Sequence, residues 1–299
     1  MSENSNLSIL ASFVCLWITT FLGQTSQIIV GFTLIFSFGI LHGANDIIVF
    51  KETNSLKKPI SFVKLISSYI FTVLISALLF ISIPWLALLL FVLVSGYHFG
   101  EQHWQQLEDT ILNWLKPIFK FTYGIFILLL LFVFHIEEVN QIVFSIIAVN
   151  VGFINIPYLL VFFGLTLSIF FIYFNYKSVL FKKNIIEELL YLLVFSILFK
   201  VGSLIWGFAL YFIFWHSIPS LRDQIKFLYG KYSFENFKRY LRSAFAYWII
   251  SIVGIMLLYL LLKDVTIFNA LFFSFLAAIT FPHAWIILKM LERGGNSEQ

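Results

Sequence analysis

The side chains of this chain that are best suited to metal chemistry are its histidines. The sequence contains six of them, His42, His98, His103, His135, His216 and His283. Those at positions 42, 98, 216 and 283 lie inside strongly apolar segments, where an ionisable side chain is costly and usually faces a functional partner. Neutral imidazole is a nitrogen ligand that suits iron, zinc and copper. A single buried histidine can also simply bond to a neighbouring helix, so the metal hypothesis depends on the four together.

Each of these four histidines lies in a distinctive local motif. In the first, Gly43 and Ala44 follow His42 and permit close approach of another helix, and Asp46 lies one helical turn further on. A carboxylate at that spacing can accept the second imidazole N–H and fix the tautomer. A helix-end charge that faces the cytoplasm is the other interpretation of Asp46. The remaining motifs are Ser95–Trp104, Trp215–Ser220 and Phe281–Trp285.

The composition indicates that membrane helices carry these motifs. Hydrophobic residues make up 61% of the chain and charged residues only 11%, whereas a soluble domain carries about 25% charge. We therefore predict an all-α fold, a polytopic integral membrane helical bundle with about ten spans, in a single membrane-embedded domain over residues 1–299. Apolar runs of suitable length lie near 7–22, 28–50, 61–82, 84–100, 118–134, 157–175, 185–199, 203–219, 244–262 and 267–288.

Several classes of function are disfavoured by the same composition. The net charge of +4 is small, and its basic residues lie between apolar runs, which fits loops near anionic lipid rather than a nucleic-acid surface. Cys15 is the one cysteine, so neither an intrachain disulfide nor a CxxC site can form. We interpret the first apolar run as a retained helix rather than a signal peptide, because no lysine or arginine precedes it.

Lysine and arginine residues also predict which loops face the cytoplasm. They cluster after the second span, after the sixth span and between Arg222 and Arg242, whereas the loops at 23–27 and 135–141 contain none. We therefore predict a multi-pass protein of the cell inner membrane with both termini in the cytoplasm. This parity holds only if the apolar piece at 141–154 does not cross, and we interpret that piece as a re-entrant or interfacial helix.

The predicted topology brings the four histidines to one membrane depth. All four lie on helices that run from outside to inside, within roughly 3–12 Å of the inner helix end by the helical rise per residue. His103 follows just after the fourth span, and His135 lies on the opposite membrane face. A metal site at this depth can therefore include His103 but hardly His135.

At these motifs the chain resembles the Brp/Blh family, the membrane β-carotene 15,15′-dioxygenases. The resemblance depends on four short motifs that occur in the family's order, namely His42-Gly43-Ala44 with Asp46, His98-Phe99-Gly100, Trp215-His216-Ser217 and Pro282-His283. It implies that O₂ cleaves β-carotene centrally into two molecules of all-trans-retinal. It also implies a non-haem Fe(II) bound by histidines, no organic cofactor, and transfer of retinal to a rhodopsin in the same membrane.

We favour His42, His98, His216 and His283 as the iron ligands and expect Asp46 and Tyr97 to be the catalytic residues. Two positions depart from the family. Its members often have a second histidine one turn after that of the eighth span, where this chain has Ser220, and often have aspartate at the position of His103. His103 is therefore the candidate to replace the histidine that is absent at Ser220.

Two other functions remain open from the residues alone. A membrane di-iron desaturase or hydroxylase needs about eight histidines in HxxH-type clusters, but this chain has six and contains neither HxxH nor HxxxH. A non-enzymatic transporter or a lipid- or carotenoid-binding protein would use intramembrane His and Asp as a proton relay, but the sequence has no internal repeat. Bound iron would distinguish an oxygenase from a carrier.

Overall fold

The computed structural model of this chain describes residues 3–53, 62–105, 107, 110–149, 154–262 and 265–297. These residues form helices joined by short turns, with no strand among them, which confirms the predicted all-α class. In chain order the helices are α1 (Glu3–Thr19), α2 (Gln24–Leu34), α3 (Ile40–Gly43), α4 (Asp46–Thr53), α5 (Phe62–Ser82), α6 (Pro84–His103), α7 (Leu115–Phe134), α8 (Ile136–Ile147), α9 (Ile156–Lys177), α10 (Val179–Val201), α11 (Leu204–Tyr211), α12 (Ile218–Tyr229), α13 (Phe234–Leu262) and α14 (Val265–Ser297). Two π-helical segments interrupt them, π1 (Ile35–Gly39) and π2 (Phe212–Ser217).

Six helical stretches among the described residues are long and apolar enough to cross a membrane. They are Gln24–Thr53, Pro84–His103, Leu115–Phe134, Ile156–Lys177, Leu204–Tyr229 and Ser274–Arg293. Shorter apolar helices at Asn6–Thr19 and Ile66–Ser82 coincide with two further predicted spans. The chain is thus built of apolar helices suited to a membrane, but the predicted number of about ten spans is not confirmed.

The region after α7 differs from the sequence prediction. The loop expected at 135–141 is largely helical, because α8 begins at Ile136, directly after α7. Glu137 and Glu138 occupy its first turn, where negative charge stabilises a helix N-terminus. A helix of 12 residues is about 18 Å long, well short of the roughly 30 Å hydrocarbon layer. Of the predicted segment 141–154, residues 150–153 lie outside the described part of the chain.

The helices group into two compact units. The first unit contains Met1–Ile35, Ser95–Gln141 and Asn150–Pro219. Within it α7 packs along α9, α11 packs along α2, and α10 contacts α7, α9 and α11. Its interior is rich in aromatic rings, among them the fully buried Phe119, Tyr123 and Phe174.

The second unit contains Phe36–Val94, Ile142–Val149 and Ser220–Gln299. Within it α14 packs along α4 and α5, and α13 contacts α3 and α14. A small core of Val49, Ile286, Ile287 and Met290 joins α4 to α14. This grouping of contacts does not test whether residues 1–299 act as one domain, which stays a prediction.

Candidate metal centre

In the second unit, two of the predicted histidine ligands lie side by side. His42 is on the short helix α3 and His283 on α14, and each is only 4% exposed. Their ring centroids are 4.7 Å apart with the rings nearly perpendicular, and each offers a ligand atom within 4.8 Å of the other's. Two metal–nitrogen bonds of about 2.1 Å each span at most about 4.2 Å. This pair is therefore close to the separation at which both imidazoles could bind one metal ion.

Asp46 orients an imidazole, as the sequence suggested, but its partner is His283 rather than His42. The Nδ1–H of His283 donates to Asp46 Oδ1 over 2.8 Å, and the Tyr69 hydroxyl donates to Asp46 Oδ2 over 3.3 Å. The Nδ1–H of His42 instead donates to the carbonyl of Gly39. Because a carboxylate and a carbonyl both require an N–H donor, each histidine would bind a metal through Nε2.

The backbone beside His42 is held by an interruption of its helix. The helix breaks at Ala44–Asn45, between α3 and α4. The carbonyl of His42 accepts hydrogen bonds from Gln224 Nε2 at 2.8 Å and from the Tyr240 hydroxyl at 3.0 Å. These two side chains, which sequence reasoning did not identify, also bond to each other. The polar Asn45 in the motif after His42 was the available sequence signal for such a network. The structure buries it completely, and a buried polar side chain needs partners.

In the first unit, the other two predicted ligands form a second pair. His98 on α6 is 2% exposed and His216 in π2 is 1% exposed. Their ring centroids are 4.6 Å apart at an interplanar angle of 78°. Phe99 packs edge-on against His216 at 4.8 Å, and Phe212 stacks on it at 5.5 Å. Aromatic rings thus restrict the orientation of the His216 imidazole.

Glycines on both sides of His98 determine where its helix lies. Gly96 and Gly100 on α6 face Gly124 on α7 in the small-xxx-small pattern of close membrane helices. A Cβ added to Gly100 would lie 1.8 Å from the carbonyl oxygen of Lys120, and one added to Gly124 would lie 1.8 Å from that of Gly96. The two backbones are therefore in direct contact at the level of His98.

The two π-helical segments were not predicted. His216 lies within π2, and π1 ends three residues before His42. Single π turns inside α-helices occur frequently at functional sites, because the extra residue redirects a side chain. Pro219, which follows π2 closely, was a possible signal for that segment, since proline removes a backbone donor.

Two other singled-out residues have partners away from the histidine pairs. His103 Nε2 lies 2.8 Å from Glu188 Oε2 and 3.2 Å from the hydroxyl of Tyr123. The Tyr97 hydroxyl donates to Glu101 Oε1 over 3.2 Å. The catalytic role assigned to Tyr97 and the replacement role of His103 stay predictions.

A cavity of about 260 Å³ lies in the second unit between α4, α5 and α14. It is lined mainly by apolar and aromatic side chains: Ile47, Phe50, Ser68, Tyr69, Thr72, Phe281, Pro282, Trp285 and Ile286. Pro282 precedes His283, and the hydroxyl of Tyr69 bonds to Asp46. The cavity therefore adjoins the residues that hold the His42 and His283 pair.

The donor set fits a transition metal. All four histidines are at most 4% exposed, and imidazole nitrogen is a common ligand of iron, zinc and copper. The carboxylate–histidine contact of Asp46 with His283 is the usual outer support of a metal-binding imidazole. Each of the four residues is thus chemically suited to bind a transition-metal ion.

Comparisons with known proteins agree with this chemistry. A family model described as beta-carotene 15,15′-dioxygenase matches residues 33–291 of the chain. No curated protein gives a significant match. No solved structure gives one either.

Proposed function

The chain belongs to the β-carotene 15,15′-dioxygenase family, and we propose that it uses O₂ to cleave β-carotene at its central double bond into two molecules of all-trans-retinal. The observation that carries this proposal is the presence of two buried histidine pairs, His42 with His283 and His98 with His216, in a chain matched by that family over most of its length. No organic cofactor is needed for this reaction.

We propose that all four histidines bind one Fe(II). Their matched depth in the predicted topology supports this assignment, as does the burial of each imidazole. A bound iron would supply the redox chemistry with O₂. Four neutral imidazoles add no negative charge and leave coordination positions open, so the protein's contribution is to fix the donor nitrogens in place.

The surrounding side chains hold the protons and the geometry. Asp46 keeps the His283 proton on Nδ1, and the Gly39 carbonyl does the same for His42, so both Nε2 atoms can be metal donors. Tyr69 donates to the second oxygen of Asp46 and restrains the carboxylate. We expect Asp46 to influence catalysis through this contact, while the role of Tyr97 stays an expectation from the sequence.

A polyene has no polar group, so the shape of its binding site must determine which double bond reacts. We propose that the cavity lined by Phe50, Tyr69 and Trp285 receives one end of the carotenoid. Its aromatic lining supplies apolar contact and ring stacking. At about 260 Å³ it lies below the roughly 300–1,000 Å³ of complete ligand sites, which fits a subsite for part of a long molecule.

The finer topology completes the proposal. We propose about ten spans in the cell inner membrane, both termini in the cytoplasm, and one catalytic domain over residues 1–299. β-Carotene would reach the protein from the lipid bilayer, and the retinal product would pass to a rhodopsin. Reporter fusions after residues 58, 183 and 240 should read cytoplasmic, and a fusion after residue 138 should read external.

Expression in a bacterium that accumulates β-carotene tests the function directly. We expect the pigment to bleach, all-trans-retinal to appear in the extract, and the purified protein to contain nearly stoichiometric iron. Unchanged β-carotene together with iron-free protein would contradict the proposal and favour a carrier instead. Cleavage at another double bond would support the oxygenase chemistry but contradict cleavage at the central double bond.

A further inference from the structure

Helix α1 presents a polar stripe to the segment that carries His216. Ser8, Ser12 and Thr19 lie on one face of α1, which is otherwise apolar from Leu7 onward, and all three are buried. Trp206 Nε1 donates to Thr19 Oγ1 over 2.7 Å, and Trp215 Nε1 donates to Ser12 Oγ over 3.0 Å. Both tryptophans belong to the stretch α11–π2, so α1 is attached to this stretch through directed hydrogen bonds. The whole of α1 precedes the region that the family model matches.

The backbone of π2 leaves one carbonyl without a donor from its own helix. In an α-helix the carbonyl of Phe214 would accept from the N–H of Ile218, but that N–H donates to Ile213. A π turn would pair the Phe214 carbonyl with the N–H of the residue five positions later. That residue is Pro219, which has no N–H. A partly buried carbonyl in this position needs a partner from elsewhere.

Ser8 supplies that partner. Its hydroxyl donates to the carbonyl oxygen of Phe214 over 2.7 Å. Phe214 lies two residues before His216, within π2. The neighbouring hydroxyl of Ser12 donates to the backbone carbonyl of Ser8 over 2.7 Å and accepts from Trp215. Pro219 thus cannot donate to the Phe214 carbonyl, and the hydroxyl of Ser8 donates to it instead.

We propose that Ser8 is a positioning residue for His216: it stabilises the π-helical conformation that sets the direction of this imidazole. The proposal rests on the proposed function, since it takes His216 to be a metal ligand. Without the Ser8 hydroxyl, the Phe214 carbonyl would favour conformations in which it regains a donor, and the π turn would shift. His216 would then leave its orientation against Phe99 and Phe212.

The test combines Ser8→Ala, Ser8→Thr, Pro219→Ala and the double variant Ser8→Ala with Pro219→Ala. Leu10→Ala is the matched control, because Leu10 lies on the same helix but is 61% exposed. Three quantities are measured on purified full-length protein: bound iron, the d–d absorption after Co(II) substitution, and amide hydrogen exchange across residues 211–218. Retinal yield is measured in cells.

We expect Ser8→Ala to lower iron affinity by about 10–100-fold, as changes beside a ligand usually do, to alter the Co(II) spectrum and to speed exchange in π2. Ser8→Thr keeps a hydroxyl and should retain wild-type values, as should Leu10→Ala. In the Pro219→Ala background, the new N–H can serve the Phe214 carbonyl, so the added effect of Ser8→Ala should shrink at least several-fold.

Wild-type iron content, Co(II) spectrum and exchange in Ser8→Ala would overturn the proposal. So would an equal effect of Ser8→Ala in both backgrounds. If Pro219→Ala cannot be purified, the contrast between Ser8→Thr and Ser8→Val decides, because both add bulk but only threonine can donate. Wild-type protein that contained no iron and formed no retinal would contradict the proposed function. Because hydrogen exchange can be measured without iron, the coupling between Ser8 and Pro219 would still be tested in that case.

Discussion

The two histidine pairs are held in different ways. In the second unit, His283 donates to the carboxylate of Asp46 and His42 donates to the carbonyl of Gly39, so hydrogen bonds fix both rings and their tautomers. In the first unit, Phe99 and Phe212 pack against His216, and a glycine contact locates the helix of His98. The imidazoles of the second unit are therefore expected to be sensitive to the groups that accept their protons, and those of the first unit to shape and to the backbone that carries them.

The largest expected effect comes from removing any one of the four imidazoles. Replacement of His42, His98, His216 or His283 by alanine should abolish retinal formation and lower bound iron, because each would supply a metal–ligand bond. Iron analysis of the purified variants, with retinal extraction from cells, measures both. His135→Ala is the matched control, since that imidazole bonds to the carbonyl of Phe199 and should leave iron in place.

The pattern among the four variants tests the comparison itself. Loss of iron from all four would mean that both pairs serve one metal. Loss confined to the His42 and His283 variants would restrict the metal to the second unit and make the other pair structural. An active, iron-replete His283→Ala variant would remove that residue from the ligand set.

The next largest effect should come from shape in the first unit. Gly100→Ala would place a methyl group 1.8 Å from the carbonyl oxygen of Lys120, so α6 and α7 must separate and His98 must move. Overpacking of this kind typically costs about 1–3 kcal/mol, and the variant should show a lower melting temperature together with reduced iron. Gly254→Ala is the control, because nothing lies within 4 Å of that added Cβ. Equal behaviour of the two variants would contradict the close contact.

Asp46→Asn tests the hydrogen bonds of the second unit. An amide is a weaker acceptor than a carboxylate and can present its NH₂ to His283, so activity should fall by about 10–100-fold while some iron remains. Tyr69→Phe removes only the outer hydroxyl and should cost less. Steady-state retinal formation in detergent, with iron content, measures both. Equal losses in Asp46→Asn and Tyr69→Phe would mean that the two act as one unit.

A smaller effect is expected from filling the aromatic cavity. Thr72 lines it, so Thr72→Trp should raise the KM for β-carotene several-fold and leave bound iron unchanged. The control is Phe71→Trp, because Phe71 is the neighbouring residue on α5 and is 64% exposed. This variant should behave as wild type. If both variants raise KM equally, the cavity does not receive the substrate.

The sequence predicted the features that depend on residue type and spacing. The apolar runs predicted an all-helical chain, and the buried histidines and the carboxylate of Asp46 were recognised from their chemistry. The partner of Asp46 was not, because His283 follows it by 237 positions and only tertiary packing brings them together. The local spacing of four residues favoured His42, but the π1 turn supplies the Gly39 carbonyl to that ring instead.

The π-helical segments illustrate the same limit. Pro219, close after π2, is a visible sequence signal for that segment, but π1 contains no proline. The Phe36 and Ser37 carbonyls of π1 accept hydrogen bonds from Trp248 Nε1 at 3.2 and 3.0 Å, a donor more than 200 residues away in sequence. Such a long-range donor leaves no periodic signal in the apolar pattern.

The smallest effect on the metal is expected from His103, which pairs with Glu188 at 2.8 Å. His103→Ala should lower the melting temperature, because loss of one partner of a buried hydrogen bond costs about 1–3 kcal/mol, while iron per folded protein stays near the wild-type value. Glu188→Gln should cause a similar shift, and the double variant should be less destabilised than the sum, since the two residues share one contact. Scanning calorimetry with iron analysis measures all three. If His103→Ala loses iron and Glu188→Gln keeps it, His103 is a ligand that replaces the histidine missing at Ser220, and the four-ligand assignment is wrong in its membership.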